Sequence, residues 1–149
     1  MIAENARLIA FRSAPDLLHL SNPRAQSFVR DIWERRVGNE AGIAFPSAGG
    51  GDNTLRCDGQ RCIGRIGQQT VAFVNDPLAF EEDCRFADII IAEVPAPRSC
   101  RGPSIVVDWF DVWRGGAHAI WFAQNGEAGR VWQARVSSPP RPWMRPATN

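Results

Sequence analysis

Apolar positions along this chain switch between a two-residue and a 3.6-residue period, and the switches mark its elements. Residues 7–12 (RLIAFR) and Leu17–Leu20 (LLHL) read as short strands, joined by a Ser13-Ala14-Pro15-Asp16 turn with proline in its favoured place. Asn22 and Pro23 predict a helix start, with Asn22 as cap and Pro23 in the first turn. Ala25, Phe28, Val29, Ile32 and Val37 give that helix one apolar face, Trp33 covers the edge of the face, and Gly38 ends the helix. The stretch 38–53, with Gly49-Gly50-Gly51, follows neither period and reads as a flexible connector. It lacks the lysine and following helix of a phosphate-binding loop.

Residues 54–57 and Arg61–Ile66 predict a hairpin turning at Asp58-Gly59, and Gln69–Val74 a further strand. Asp76 and Pro77 start a second helix, with Leu78, Ala79, Phe80, Cys84 and Ala87 on its inner face and Glu81 and Glu82 near its positive end. The centre of the chain is 87–122. Its β-branched run 88–94 suits a strand buried on both faces, and 104–107 is a second such run. Asp108 opens a short helix carrying Trp109, Phe110 and Trp113; Gly115 and Gly116 stop it, and 117–123 returns to strand. An Asn125-Gly126 turn leads into a last strand, 130–136. This order predicts an α/β fold, with α+β also compatible: a mixed β-sheet with flanking helices, one domain over 1–136. The segment 137–149 is a proline-rich, loose tail from which Trp143 can dock on the body.

Composition narrows the function classes. The 149 residues suit one domain, and 44% hydrophobic with 22% charged is the balance of a soluble globular protein. No apolar run nears the roughly 20 residues a membrane span needs. The opening MIAENARLIAFR has no signal-peptide pattern, so the chain is expected to be neither secreted by its own signal nor inserted in a membrane. A net charge of +1 gives no global field for a polyanion. All 17 basic residues are arginine; this fits phosphate recognition, but codon usage in a GC-rich genome explains it as well.

The four cysteines allow three disulfide pairings. CDGQRC sets Cys57 and Cys62 on either side of the hairpin turn, while Cys84 precedes the central strand and Cys100 follows it. The favoured pairing is therefore Cys57–Cys62 with Cys84–Cys100, as in a domain matured in an oxidising compartment. A four-cysteine zinc site and four reduced thiols remain the alternatives, the zinc site weakened because no C-x-x-C pair is present.

Candidate chemistry is sparse. His19 and His118 are the only histidines, no zinc-hydrolase histidine pattern is present, and no G-x-S-x-G elbow accompanies His118. The best polar constellation is Asp108, Asp111, Arg114 and His118. Its ordinary reading is a helix cap, Asp108 with Asp111 reaching back, plus an Asp111–Arg114 ion pair; its functional reading is acid–base or binding work. Arg98 and Arg101 flank Cys100. With Arg114, Trp109 and Trp113 they compose a candidate patch for single-stranded nucleic acid, against the ordinary reading of core tryptophans and solvated arginines.

The segments LRCDGQRCIGRI, VAFVNDPLAFEEDC, ADIIIAEVPAPRSC and PSIVVDWFDVWRGGAHAIWF, preceded by SFVRDIWERR and followed by RPW, resemble the C-terminal region of alphaproteobacterial ComEC-type competence channels. The likeness runs from about Ile2 to Trp143. It implies half of a metallo-β-lactamase-like fold, on a soluble domain joined to an inner-membrane channel that passes single-stranded DNA during transformation. Asp76 matches the family's metal-bridging aspartate, whereas Val94-Pro95 stand where the family carries paired histidines. The resemblance thus implies a degenerate, non-catalytic domain without metal or cofactor. Such a domain would sit on the periplasmic face of the inner membrane, docking on the channel or weakly guiding single-stranded DNA. The alternatives are a metal-dependent nuclease using Asp76, Asp108 and His118, and a nonfunctional remnant. Because the channel's membrane spans are lacking, the chain is expected to be a split gene, a detached fragment or a deliberately excised piece.

Overall fold

The β-branched run after Asp88 forms β7 (Ile89–Ala92), every residue of which is buried, as in a strand covered on both faces. In the computed structural model, which describes residues 1–38, 42–122 and 129–137 and side chains as far as 135, this strand lies inside a five-stranded sheet. The order is β4 (Leu55–Cys57), β5 (Arg61–Ile66), β6 (Gln69–Val74), β7 and β8 (Ile105–Val107). Pairs β4–β5 and β5–β6 are antiparallel, joined by short turns; β6–β7 and β7–β8 are parallel. The sheet is mixed, as the element order predicted.

Strand alternation gives this sheet two apolar faces. Ala72, Val74, Ile90 and Ala92 pack under Phe80 of α2 (Phe80–Phe86), with Cys84 and Cys100 beside them. Val71, Phe73, Ile89, Ile91 and Val107 point the other way, onto Ile2, Ile9 and Phe11 and onto Val112 of α3 (Trp109–Gly115).

That second partner is another layer of strands. β1 (Ala10–Ala14) and β2 (Leu17–Leu20) form a hairpin, and β3 (Ile43–Ala44) runs parallel to β2. β9 (His118–Trp121) and β10 (Arg130–Gln133) form a second antiparallel pair. Ile2 links the two groups, bridging Ile9 on one side and His118 on the other. On the outer face α1 (Ser27–Val37) lays Val29, Trp33 and Val37 over Leu8, Ala10, Leu18 and Leu20. The layers therefore run helix, sheet, sheet, helix.

Several expectations are corrected by this packing. Asn22 and Pro23 do not start α1: Ala25 N–H closes a turn onto the Asn22 carbonyl, Gln26 is left-handed, and the helix begins at Ser27. The covered stripe is then Val29-Trp33-Val37, so Trp33 is central and Phe28 stands 72% exposed. Leu78 is likewise 72% exposed, because Asp76 caps a short 3₁₀ turn, Pro77–Ala79, that precedes α2 and turns Leu78 outward. From Ile43 onward the glycine-rich connector is pinned. Ile43–Ala44 pairs with β2, Gly49 N–H donates to the Cys57 carbonyl (2.8 Å), and Cys57 N–H donates to the Gly50 carbonyl (3.0 Å). Gly51 bridges Arg56 at φ 115°, where a Cβ would lie 2.2 Å from the Leu55 carbonyl oxygen. β10 ends at Gln133 and gives way to a helical turn, α4 (Ala134–Ser137), rather than continuing to 136. The Asn125-Gly126 turn and most of the expected tail, Trp143 included, lie outside the described residues. Among the described residues no helix is long and apolar enough to cross a membrane.

Candidate functional site

The pairing favoured from spacing is the one formed: Cys57–Cys62 and Cys84–Cys100 are disulfides, and no cysteine is free. Cys57 and Cys62 stand directly opposite across β4–β5. The other bridge fastens the β7–β8 connection to α2, and Gly102 passes so close that a Cβ there would meet the Cys84 carbonyl.

Asp108 and Asp111 form the expected reciprocal cap. Asp111 N–H donates to Asp108 Oδ1 (3.0 Å) and Asp108 N–H to Asp111 Oδ2 (3.1 Å). Asp108 Oδ2 takes a third bond, from Ala96 N–H (2.9 Å), which ties the β7–β8 connection to the start of α3. Both Asp108 oxygens are thus engaged structurally. Arg114 approaches Asp111 at 3.7 Å and lies over the Phe110 ring at 5.7 Å, both near solvent, where such pairs contribute little.

The tryptophans of α3 are not core residues. Only Val112 and Gly115 of that helix are buried; Trp109 is 39% and Trp113 61% exposed. Four residues apart on one helix face, their rings are within 9° of parallel with centroids 6.4 Å apart. Beside them opens a cleft of about 390 Å³ whose other walls include Glu4, Arg7 and Arg135. Arg135 is held there, donating to the Trp113 carbonyl (2.7 Å) and facing Glu4 at 3.8 Å. On β9–β10, Trp121 pairs with Arg130 and Trp132 with Ala119, so pleating puts both tryptophans and Arg130 on one outward face.

The remaining predicted residues do not converge. Arg98 and Arg101 are exposed on the connection held by Cys100, and among the described residues no bond or ring contact joins them to Trp113 or Arg114. His118 is 2% exposed, with Nδ1 on the Gly116 carbonyl (2.8 Å) and Nε2 buried without a hydrogen-bond partner. Asp76 accepts from Leu78 N–H (2.9 Å) at the end of β6. β7 lies between the strands that Asp76 and Asp108 follow, and in the sheet register Asp76 stands two residues further along than Asp108. Among the described residues no three His, Cys, Asp or Glu side chains are grouped to hold a metal ion.

No family model, no curated protein and no solved structure matches this chain. Its surface has to be read on its own geometry.

Sequence reasoning passed over three features. Asp83, fully buried on α2, is paired with Arg61 of β5, which also meets Glu82 (2.8 Å) and Asp58 (3.4 Å). Burial pushes the Asp83 carboxyl up to about 6, more than the Arg61 guanidinium pulls it down. Ser13 Oγ and His19 Nε2 lie 2.9 Å apart across the β1–β2 hairpin, and burial lowers the His19 pKa. Ser13 lines neither the α3 cleft nor a larger cavity, of about 470 Å³, walled by Phe45 and Phe73. Glu93, directly after β7, lines the larger cavity. Its signal was legible: an acidic residue ending an otherwise apolar IIIA run.

Proposed function

We propose that this chain is a non-catalytic binding domain of a ComEC-like DNA-uptake channel, and that the α3 cleft engages single-stranded DNA. The observation that carries the reading is the exposed, parallel Trp109–Trp113 pair beside Arg7 and Arg135. Every base has a π-face, so such rings bind strands with little sequence preference, while guanidinium groups take the phosphates. With a net charge of only +1, affinity has to come from this local cluster and remain weak. The helix–sheet–sheet–helix order of layers supports a degenerate metallo-β-lactamase-like ancestry, by analogy of architecture alone. Two disulfides support a periplasmic setting. The rival nuclease reading gains no support, since Asp76, Asp108 and His118 each serve a cap or the core.

The test is fluorescence anisotropy of a labelled oligothymidylate at ~50 mM salt, where phosphate contacts are least screened. Binding is expected to quench tryptophan emission and to fall with salt at a slope of about −0.7 per phosphate contact. Trp113→Ala should weaken it by at least roughly fivefold, since stacking contributes about 1–3 kcal/mol per base. Absence of binding at low salt refutes DNA engagement. The outward Trp121–Trp132 face of β9–β10 then favours the other form of the reading, docking on the channel.

A further inference from the structure

The larger cavity, about 470 Å³, opens beyond the carboxyl ends of β6 and β7. The parallel strands β6 and β7 run side by side and deliver the residues that follow them to one rim. Here those residues are Asn75 and Glu93, held by bonds from Asn75 N–H to the Gln60 carbonyl (3.1 Å) and from Glu93 N–H to the Val74 carbonyl (2.9 Å). Phe45 and Phe73, edge to face at 5.2 Å, supply an aromatic wall, with Ile9 adjoining.

The charges in this cavity are unequal in kind. Asp58 is satisfied, accepting from Gln60 and Arg61 N–H and facing the Arg61 guanidinium at 3.4 Å. Glu93 is half-buried, and among the described residues no donor or cation compensates it; burial alone acts on its carboxyl and raises its pKa. Arg7 is exposed at the rim, with no carboxylate within ion-pair distance among the described residues. An ionised carboxylate in a partly desolvated, aromatic-walled cavity calls for a compact cation with N–H donors. The arginine at the rim repels a second positive charge and accepts a negative one.

We propose that this cavity binds a primary ammonium group on a short aliphatic stem whose far end is neutral or anionic, with Glu93 as the counter-ion and Arg7 at the mouth. The stem lies against Phe45 and Phe73, and free amino acids with side-chain or terminal amines belong to the class. This site shares Arg7 with the α3 cleft, but its counter-ion Glu93 and its aromatic wall lie outside that cleft, so ammonium binding is tested without DNA.

The test is titration of the ¹⁵N-labelled full chain with 6-aminohexanoate, and in parallel with hexanoate and 1,5-diaminopentane. The expected result is saturable shifts confined to the cavity residues with 6-aminohexanoate, weaker binding of the diamine, and none of hexanoate. Glu93→Gln preserves size and backbone bonding, and circular dichroism verifies its fold. It should weaken 6-aminohexanoate at least tenfold, the loss expected for a charge-assisted hydrogen bond. Arg7→Ala should remove the preference over the diamine. Hexanoate binding as well as 6-aminohexanoate, Glu93→Gln binding unchanged, or no saturable shift at all would each overturn the proposal.

Discussion

Arg61 and Asp83 join the cysteine hairpin to α2, and the two ends of that pair are predicted to be unequal when cut. Asp83 is fully buried and the Arg61 side chain only 14% exposed, so neither charge is well solvated. Arg61→Met keeps the stem but leaves the carboxylate of Asp83 without its cation. Breaking a buried pair from this side costs about 3–5 kcal/mol, a large share of the roughly 5–15 kcal/mol that stabilises a domain. Asp83→Asn instead removes the buried charge, and Arg61 keeps Glu82, Asp58 and the Phe86 ring at 5.4 Å. At pH 8 its net cost should be near zero or negative, since the loss of one ordinary hydrogen bond, about 1 kcal/mol, is offset by removal of a desolvated charge. The sign of the pH dependence follows from burial. Asp83 moves from 3.8 to about 6 on folding, so the folded state binds more protons between those values and stability falls as pH rises through that window. The group alone makes the wild type roughly 2 kcal/mol less stable at pH 8 than at pH 4. Asp83→Asn abolishes that component, whereas Arg61→Met enlarges it, since the unpaired carboxyl is pushed higher still. Urea unfolding followed by circular dichroism at both pH values measures all three. Equal losses for the two variants at pH 8, or Asp83→Asn the worse of the two, would refute the claim that desolvation dominates here.

Other outcomes follow from the same packing. Replacing Cys84 and Cys100 together by serine should cost about 3 kcal/mol, against about 2 for Cys57 and Cys62, because the longer loop loses more chain entropy when closed; thermal midpoints with and without reductant rank the two. Asp108→Ala should cost about 2 kcal/mol or more, since it removes a helix cap and also strands the Ala96 N–H. A loss below about 0.5 kcal/mol in urea would mean that water replaces both bonds. Gly51→Ala should destabilise by more than about 1 kcal/mol, because φ 115° and the nearby Leu55 carbonyl leave a Cβ no room. Phe28→Ser should leave the unfolding midpoint almost unchanged, which separates the observed α1 stripe from one that includes Phe28.

What the sequence determined by itself was set by chemistry acting over a few residues. The Ile89–Ala92 run has no polar side chain to give to solvent, so it was legible as a doubly covered strand. The Asp108–Asp111 cap is a three-residue relation, and the Cys57–Cys62 bridge joins cysteines five positions apart across one turn. Tertiary structure decided the rest, because the face an element buries depends on partners distant in the chain. Periodicity gave Phe28, Leu78, Trp109 and Trp113 apolar positions, but the layers cover Trp33 and Val112 instead. Ile2 bridging Ile9 and His118, and Arg61 reaching Asp83, span separations at which no local pattern exists. The same holds for the site. Arg98 and Arg114 are 16 positions apart yet share no contact among the described residues, whereas Arg7 and Arg135, at opposite ends of the chain, share the walls of one cleft with the tryptophans of α3.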